Sequence, residues 1–386
     1  MSIRGSAAIV GYHEIPTRRM YQGRSNWSLL TEAALGAIRD AGLRKDDIDG
    51  LICQEAFNSL TVAEYMGIKP KFTMSMTLHG ATGTGSVATA AMAVSAGLAN
   101  YVLCVMGGTR DAESGGQQPG GFRGAQPGGR PAPPPPSGRP TFGTEWEAPF
   151  GPVVSANGGY GLMKQRHMYE YGSMQEQFAK CAVDQRYNAL LDPNSAFSGQ
   201  PITVEDVLNS RYTNDPLHLL ECVMPCSGGG AWIVTTAERA RALPNPPVYI
   251  LGIGGPATSH DTIAQESDVA TTPVVLSAPV ALQMAGYKAK DMQFAEFYDC
   301  YTILVMSCLE DAGICPKGEI GRFYADTDTT YKGAFPINTN GGQISGGQPV
   351  GGGGGNTKQI VEAARQIMGR AGQRQVARNG LCLVNG

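Results

Sequence analysis

Hydrophobic and polar positions along the chain follow two periods. Short continuous apolar runs at residues 7–10, 101–106 (YVLCVM) and 248–253 have the length and composition of buried strands. Between the first two, the spacing predicts an amphipathic helix over 28–41, stopped by Gly42, and a turn feeding a strand over 47–53. Residues 84–98 are almost all small or apolar, which predicts a helix buried on every side. Two more helices are expected at 159–172 and 173–191, the second closed by Asp192 and Pro193, and a shorter one at 203–210. The stretch SGGGAWIVTT reads as a glycine turn running into a strand.

Two glycine-rich stretches stand directly before helical segments: 79–86 (HGATGTGS), and 338–356 (NTNGGQISGGQPVGGGGGN), which runs into the amphipathic segment 358–368. A glycine turn so placed presents backbone N–H groups at the start of a buried helix, which suits a developing negative charge. The chain also repeats itself. Ala41, Gly42, Leu43, Asp47 and Ile48 are answered by Ala285, Gly286, Tyr287, Asp291 and Met292 at a constant shift (285 − 41 = 291 − 47 = 244). The run at 101–106 is matched by 381–384 (LCLV). A duplicated unit of this kind predicts an α/β fold with sheets stacked between helices, in halves of about 1–245 and 246–386, the first including a helical loop region at about 159–220. The site should lie where the two glycine turns meet.

Composition changes this picture in three places. From 111 to about 156 the sequence turns to glycine, proline and glutamine, including PAPPPP, without strand or helix period. It reads as a Pro/Gly-rich insertion that wraps the surface or a partner, with Phe142, Trp146 and Phe150 as aromatic anchors. The 386 residues carry a formal net charge of −3, and a pI near 6.0 leaves no basic footprint for nucleic acid. No run approaches the roughly 20 apolar residues of a membrane span, and the first residues lack a signal-peptide core, so the expectation is a cytoplasmic protein. Nine cysteines, an odd count, argue against a disulfide framework. Cys222 and Cys226 have no second Cys or His pair at finger spacing, and no metal site is predicted.

The order of NTNGGQISGGQPVGGGG, SGGGAWIVTTAERA, AEFYDCYT and the long segment from HMYEYGSMQEQ to DPLHLLEC resembles the thiolase superfamily, in its sterol-carrier-protein-type, lipid-transfer-like branch. The resemblance covers nearly the whole chain, the insertion excepted. It implies a thiolase-like duplicated αβαβα fold in five layers, a CoA thioester as substrate with no covalently bound cofactor, a homodimer, and the small zinc-ribbon and OB-fold partner protein that often accompanies members of this branch. It also implies where reactive groups belong, and this chain departs from a working thiolase at each. The nucleophilic cysteine corresponds to Gly80, the histidine of GHP to Gln348 in Gly347-Gln348-Pro349, and the second cysteine to Val384. No acyl-enzyme forms on glycine, and an amide does not titrate.

The resemblance leaves the means to hold an enolate. The N–H groups of Gly80 and Gly386 match the two donors that hold the thioester oxygen, each worth about 3 to 4 kcal/mol in the barrier. Gly346 and Gly347 are expected to line the cofactor-binding loop. Tyr298, in AEFYDCYT, stands where thiolases carry an Asn or His. Steroid side-chain aldolases of the branch resemble this arrangement, with a second tyrosine where this chain has Gln348. The expected reaction is retro-aldol cleavage of a β-hydroxyacyl-CoA, or its reverse, with Tyr298 as acid/base. Its ordinary pKa of about 10 would need lowering for it to act as base. Tyr301, Asp299, Cys300 and His79 are the nearby alternatives, with Cys300 expected to point away from Asp299 and Tyr301. An acyltransferase or condensing enzyme, and a non-catalytic acyl-CoA or lipid-binding subunit, are the rival classes.

Overall fold

The computed structural model describes residues 3–54, 56–110, 156–256, 267–349 and 355–386. The insertion expected at about 111–156 lies, up to residue 155, outside the described residues, as do its three aromatic anchors.

The strands are β1 (Ala7–Arg18), β2 (Gly50–Gln54), β3 (Phe72–Met76), β4 (Tyr101–Gly108), β5 (Tyr212–Asn214), β6 (Leu217–His218), β7 (Pro225–Thr236), β8 (Val248–Ile250), β9 (Phe294–Glu296), β10 (Gln348–Pro349) and β11 (Cys382–Val384). The main sheet runs β3-β2-β4-β7-β1-β8, with β10 added to β7. Strands β2, β3 and β4 are parallel, whereas β7 is antiparallel to both β4 and β1. β9 and β11 pair in parallel as a second sheet.

Layers follow from which face each helix buries. Helix Asn26–Asp40 turns Leu29, Leu30, Ala33, Ala37 and Ile38 onto one face of the main sheet, where they meet Leu51, Leu103 and Ile233. Helix Thr82–Ser95 covers the other face with Ala90, Ala91 and Val94, beside Ile360, Val361 and Ala364 of helix Thr357–Ile367. These two helices separate the main sheet from β9 and β11. Helix Thr302–Asp311 closes the far side, its Ile303, Val305 and Met306 packed with Ala295 and Phe297. The result is the five-layered thiolase-like α/β fold.

The repeat survives in three dimensions. Helices Asn26–Asp40 and Val274–Ala285 are followed by Gly42 and Gly286, both left-handed (φ 71° and 72°). Each leads through a short 3-10 turn (Lys45–Asp47, Ala289–Asp291) into a strand beginning at Gly50 or Phe294, with the 244-residue shift kept throughout.

Three expectations need correcting. β1 runs eight residues beyond the expected 7–10, because Glu14 and Thr17, which broke the apolar pattern, are buried and bonded to Lys358. The glycines of SGGGAWIVTT form no turn. They lie within β7, where a Cβ on Gly229 would strike the Met106 carbonyl and one on Gly107 the Gly228 carbonyl, so the antiparallel pairing of β4 and β7 is carried through this stretch by glycines on both strands. The strand expected at 248–253 is the three-residue β8, which pairs with β1 at the edge of the main sheet.

Helix Thr357–Ile367 has the predicted amphipathic pattern, yet every residue from Thr357 to Gln366 is buried. Its polar stripe faces other buried charges. Lys358 donates to Glu14 at 2.9 Å, and Arg365 bridges Glu14 (2.5 Å) and Glu362. Arg374 holds Glu362 at 2.5 Å and approaches Asp192 at 3.7 Å. Three carboxylates thus meet three cations. Burial opposes ionisation of Glu362, but Arg374 and Arg365 hold its pKa down at about 2; Lys358 and Arg365 act likewise on Glu14.

Candidate active site

The two glycine stretches meet as expected. A Cβ on Gly83 would lie 2.5 Å from Asn356 Oδ1, and one on Gly355 would lie 3.1 Å from the Gly80 carbonyl oxygen. Asn356 sits at the N-cap position of helix Thr357–Ile367, but its side chain serves the opposite helix. Its Oδ1 accepts from Thr84 N at 3.0 Å, and its Nδ2 donates to the Asn385 carbonyl at 3.0 Å. One side chain therefore ties the start of the first buried helix to the strand end that carries Gly386. The sequence signal for it was its place as the last residue of the glycine run, where a cap belongs.

The loop before Gln348 is shaped by Asp299. Its carboxylate, fully buried, accepts from Gln343 N (2.8 and 2.9 Å), Ile344 N (3.1 Å) and Gln359 Nε2 (2.6 Å). Burial pushes its pKa up to about 8, against the pull of the two backbone donors. Asp299 therefore holds the loop. Asn338 completes the anchoring by accepting from Phe297 N and donating to the Phe297 carbonyl. Gly346 and Gly347 are buried inside this turn. The space beside Gly346 is taken by the Lys358 side chain, and that beside Gly347 (φ 83°) by Cys226, Thr17 and Ala196. Their missing side chains serve packing of the loop.

Tyr298 lies across Gly80. A methyl group on Gly80 would sit 2.5 Å from Cε1 and 2.7 Å from Cζ of that ring, well inside contact distance. The phenol thus fills the space that a side chain at the nucleophile position would need. Gln348 Nε2 donates to Tyr298 Oη at 2.8 Å. The amide reaches it from β10, whose pairing with β7 and whose Gln348 N–H bond to the Met224 carbonyl (3.0 Å) fix its position. Burial raises the Tyr298 pKa well above its ordinary value, and the neighbouring Cys300 raises it further, while the Gln348 bond works the other way. The expected lowering is not found: Tyr298 rests as a neutral phenol.

The other expected residues fall around this pair. Gly386 packs onto the start of helix Thr82–Ser95, where a Cβ would meet Ala81 Cα at 2.6 Å and Asn356 Nδ2 at 2.9 Å. Gly80 and Gly386 are thus both brought to the same helix N-terminus. His79 is exposed in a left-handed conformation (φ 49°), its carbonyl accepting from Thr82 Oγ1 at 2.8 Å. Tyr301 is buried and donates to Asn157 Oδ1 at 2.5 Å, with its ring stacked on Tyr160. Asp299 turns to the loop, whereas Cys300 falls in the same apolar cluster as Tyr301, Tyr298 and Tyr160; the chain has left β9 by then, so the alternation expected to separate Cys300 from Tyr301 does not apply. Tyr160, which no motif singled out, comes from helix Ala156–Tyr171 immediately after the insertion. A surface cleft lined by Tyr12, Glu32, Asp40 and Arg370 among others shares no residue with this site.

Gly80 and Gly386 thus meet at the N-terminus of helix Thr82–Ser95, with the Tyr298 ring over Gly80 and Gln348 bonded to its hydroxyl. Comparison with known proteins gives the family. Residues 255–386 match the family model described as thiolase C-terminal domain-like. A steroid side-chain-cleaving aldolase of Thermomonospora curvata is 35% identical over 373 residues, covering 95% of this chain and 91% of the relative. The 17-hydroxy-3-oxo-4-pregnene-20-carboxyl-CoA lyase of Mycobacterium tuberculosis is 32% identical, covering 95% and 92%. Among solved structures, the Ltp2-ChsH2(DUF35) aldolase superposes with a TM-score of 0.83 at 33% identity, covering 99% of this chain and 94% of that one. The chain belongs to the thiolase superfamily, in the branch that includes sterol-carrier-protein-like relatives and these aldolases. Among the described residues, no helix is long and apolar enough to cross a membrane.

Proposed function

We propose that the protein is an acyl-CoA carbon–carbon lyase, cleaving a β-hydroxyacyl-CoA by retro-aldol chemistry to a ketone or aldehyde and a shorter acyl-CoA, or running the reverse. The observation that carries this reading is the Tyr298 ring packed on Gly80: a phenol has replaced the nucleophile, so the site fits chemistry without an acyl-enzyme. The names of the aldolase and lyase relatives support it and point to steroid side chains as substrates.

In this mechanism the thioester oxygen receives the Gly80 and Gly386 N–H groups at the start of helix Thr82–Ser95, where the dipole adds to the donors. The Cα–Cβ bond breaks and its electron pair passes into the thioester enolate as the β-hydroxyl proton passes to Tyr298 Oη; the phenol, neutral at rest, gives its own proton to Cα in the same relay and ends neutral. The CoA thioester is substrate, and the reaction uses no bound cofactor. Replacing Tyr298 by Phe keeps the ring over Gly80 and removes the hydroxyl. Its kcat for C–C cleavage should fall by about 10²- to 10⁴-fold with acyl-CoA affinity kept; unchanged turnover would remove Tyr298 from the mechanism.

A relative named acetyl-CoA acetyltransferase, from Methanothermobacter thermautotrophicus at 32% identity, favours acyl transfer as a second reading. CoA-dependent acyl exchange catalysed by the purified chain would select it. We further propose that the protein is cytoplasmic and forms a homodimer through β3, an edge strand with Met74 exposed. It would work with a zinc-ribbon and OB-fold partner; the solved aldolase named with a DUF35 protein supports that pairing.

A further inference from the structure

Two segments of the second half converge on the site, and each opens at one residue. Of residues 294–303 only Tyr298 is partly exposed, and of residues 336–349 only Gln348. These two are joined side chain to side chain, by the 2.8 Å bond from Gln348 Nε2 to Tyr298 Oη. Their spacing is set a second time from behind. Asp299, next in the chain to Tyr298, accepts from Gln343 N and Ile344 N of the loop that carries Gln348. The Gln348 backbone is itself fixed by its bond to the Met224 carbonyl and by the pairing of β10 with β7. Substrate entering at this opening meets a phenol whose position and whose partner are both held.

Retro-aldol cleavage gives that partner a task. A phenol oxygen carries one proton and two lone pairs. Gln348 occupies one lone pair, which leaves the other to receive the β-hydroxyl proton and the O–H to deliver a proton to Cα. The three directions around Oη are then no longer interchangeable, because the amide fixes the first. An enolate carbon is flat and offers two faces. With the thioester oxygen held by its donors, the direction of the Tyr298 O–H decides which face is protonated.

We propose that Gln348 is a positioning residue that acts through Tyr298: its N–H donation fixes the rotation of the phenol O–H and so selects the face of Cα that is protonated. The proposal rests on the lyase reading, and its test separates the two. A β-hydroxyacyl-CoA with a methyl group on Cα is cleaved in D2O by the wild type, Gln348→Met, Tyr298→Phe and the double variant. The β-hydroxyl O–D bond and the Cα–Cβ bond break, the deuteron passes to Oη, and the phenol's own deuteron bonds to Cα. The shorter acyl product then carries one deuterium at a stereogenic carbon, and the wild type should give a single configuration. Gln348→Met, similar in length but without an N–H, should lower kcat on the order of 10- to 100-fold with KM kept, and give both configurations. In the Tyr298→Phe background the same change should leave the residual rate as it is, since no phenol remains to be oriented. The unliganded proteins supply a readout free of turnover. The ultraviolet band of Tyr298, obtained as the difference from Tyr298→Phe on each background, should move to longer wavelength in Gln348→Met, because the phenol oxygen has lost a bond it accepted. One product configuration at unchanged kcat in Gln348→Met, a further loss of rate in the double variant, or a Tyr298 band that stays or moves to shorter wavelength would each overturn the proposal. Absence of any cleavage by the wild type would instead overturn the lyase reading and the face selection with it, and the band would still decide whether Gln348 donates to Tyr298.

Discussion

At position 80 a single hydrogen atom in place of a side chain leaves the space that the Tyr298 ring fills. Gly80→Ala would push a methyl group into the Tyr298 ring, and the overpacking should cost about 1–3 kcal/mol, read as a lower denaturation midpoint, together with a loss of C–C cleavage as the phenol is displaced. Gly80→Cys should behave alike, and adding Tyr298→Asn should recover the stability. Asp299 supplies a pH test. Its folded pKa of about 8 lies above its ordinary value of 3.8, so between those values the folded state binds more protons than the unfolded one and stability falls as pH rises. The stability advantage of the wild type over Asp299→Asn should therefore shrink from about pH 4 to pH 8, measured by thermal unfolding. Sequence reading singled out Gly80, Gln348 and Tyr298 because they occupy motif positions, and the three lie together in the structure. It missed Tyr160 and Asn356, whose contacts with Tyr301 and Thr84 span more than a hundred residues, and it did not foresee that Asp299 accepts from backbone donors 44 and 45 residues further on. The direction of the Tyr298 shift also depends on burial beside Cys300, which no motif encodes.

At the scale of single elements, helices such as Asn26–Asp40, Ala156–Tyr171 and Gln175–Ala189 were legible from periodicity, whereas Ser59–Met66, Thr302–Asp311 and Ile320–Asp326 were not marked. What periodicity cannot report is the partner of a polar stripe. Helix Thr357–Ile367 alternates as a surface helix would, but Lys358, Glu362 and Arg365 face Glu14 and Arg374 in the interior. For the same reason β1 was read too short, since Glu14 looks like a strand end until Lys358 is placed beside it. Removing one member of such a network leaves charges buried without partners. Glu362→Gln strips Arg365 and Arg374 of their shared carboxylate and should cost about 3–5 kcal/mol in urea unfolding. A single exposed charge such as that of Arg322, paired only with Asp326 one turn away, should change stability by less than about 0.5 kcal/mol when replaced.

At the scale of the whole molecule, duplication was legible as a constant shift between the halves, and the shift persists through cap, turn and strand. The two copies then diverged in use. The first supplies the main sheet and the helix N-terminus under Gly80; the second supplies Tyr298, Asp299 and Gln348. Assembly is tested at β3, whose outer edge lacks a neighbouring strand among the described residues. Met74→Lys places a charge on that edge and should convert the proposed dimer to monomers in light scattering, with secondary structure by circular dichroism unchanged. A wild-type monomer in the same measurement would withdraw the dimer.

The ring lying over Gly80 also couples two positions that lie more than two hundred residues apart in the chain. A Cβ at position 80 and the Tyr298 ring claim one volume, so neither site can be substituted without changing what the other tolerates, and the two should be strongly non-additive in a double-mutant cycle. The halves of the chain are joined there by exclusion: what one leaves out, the other fills.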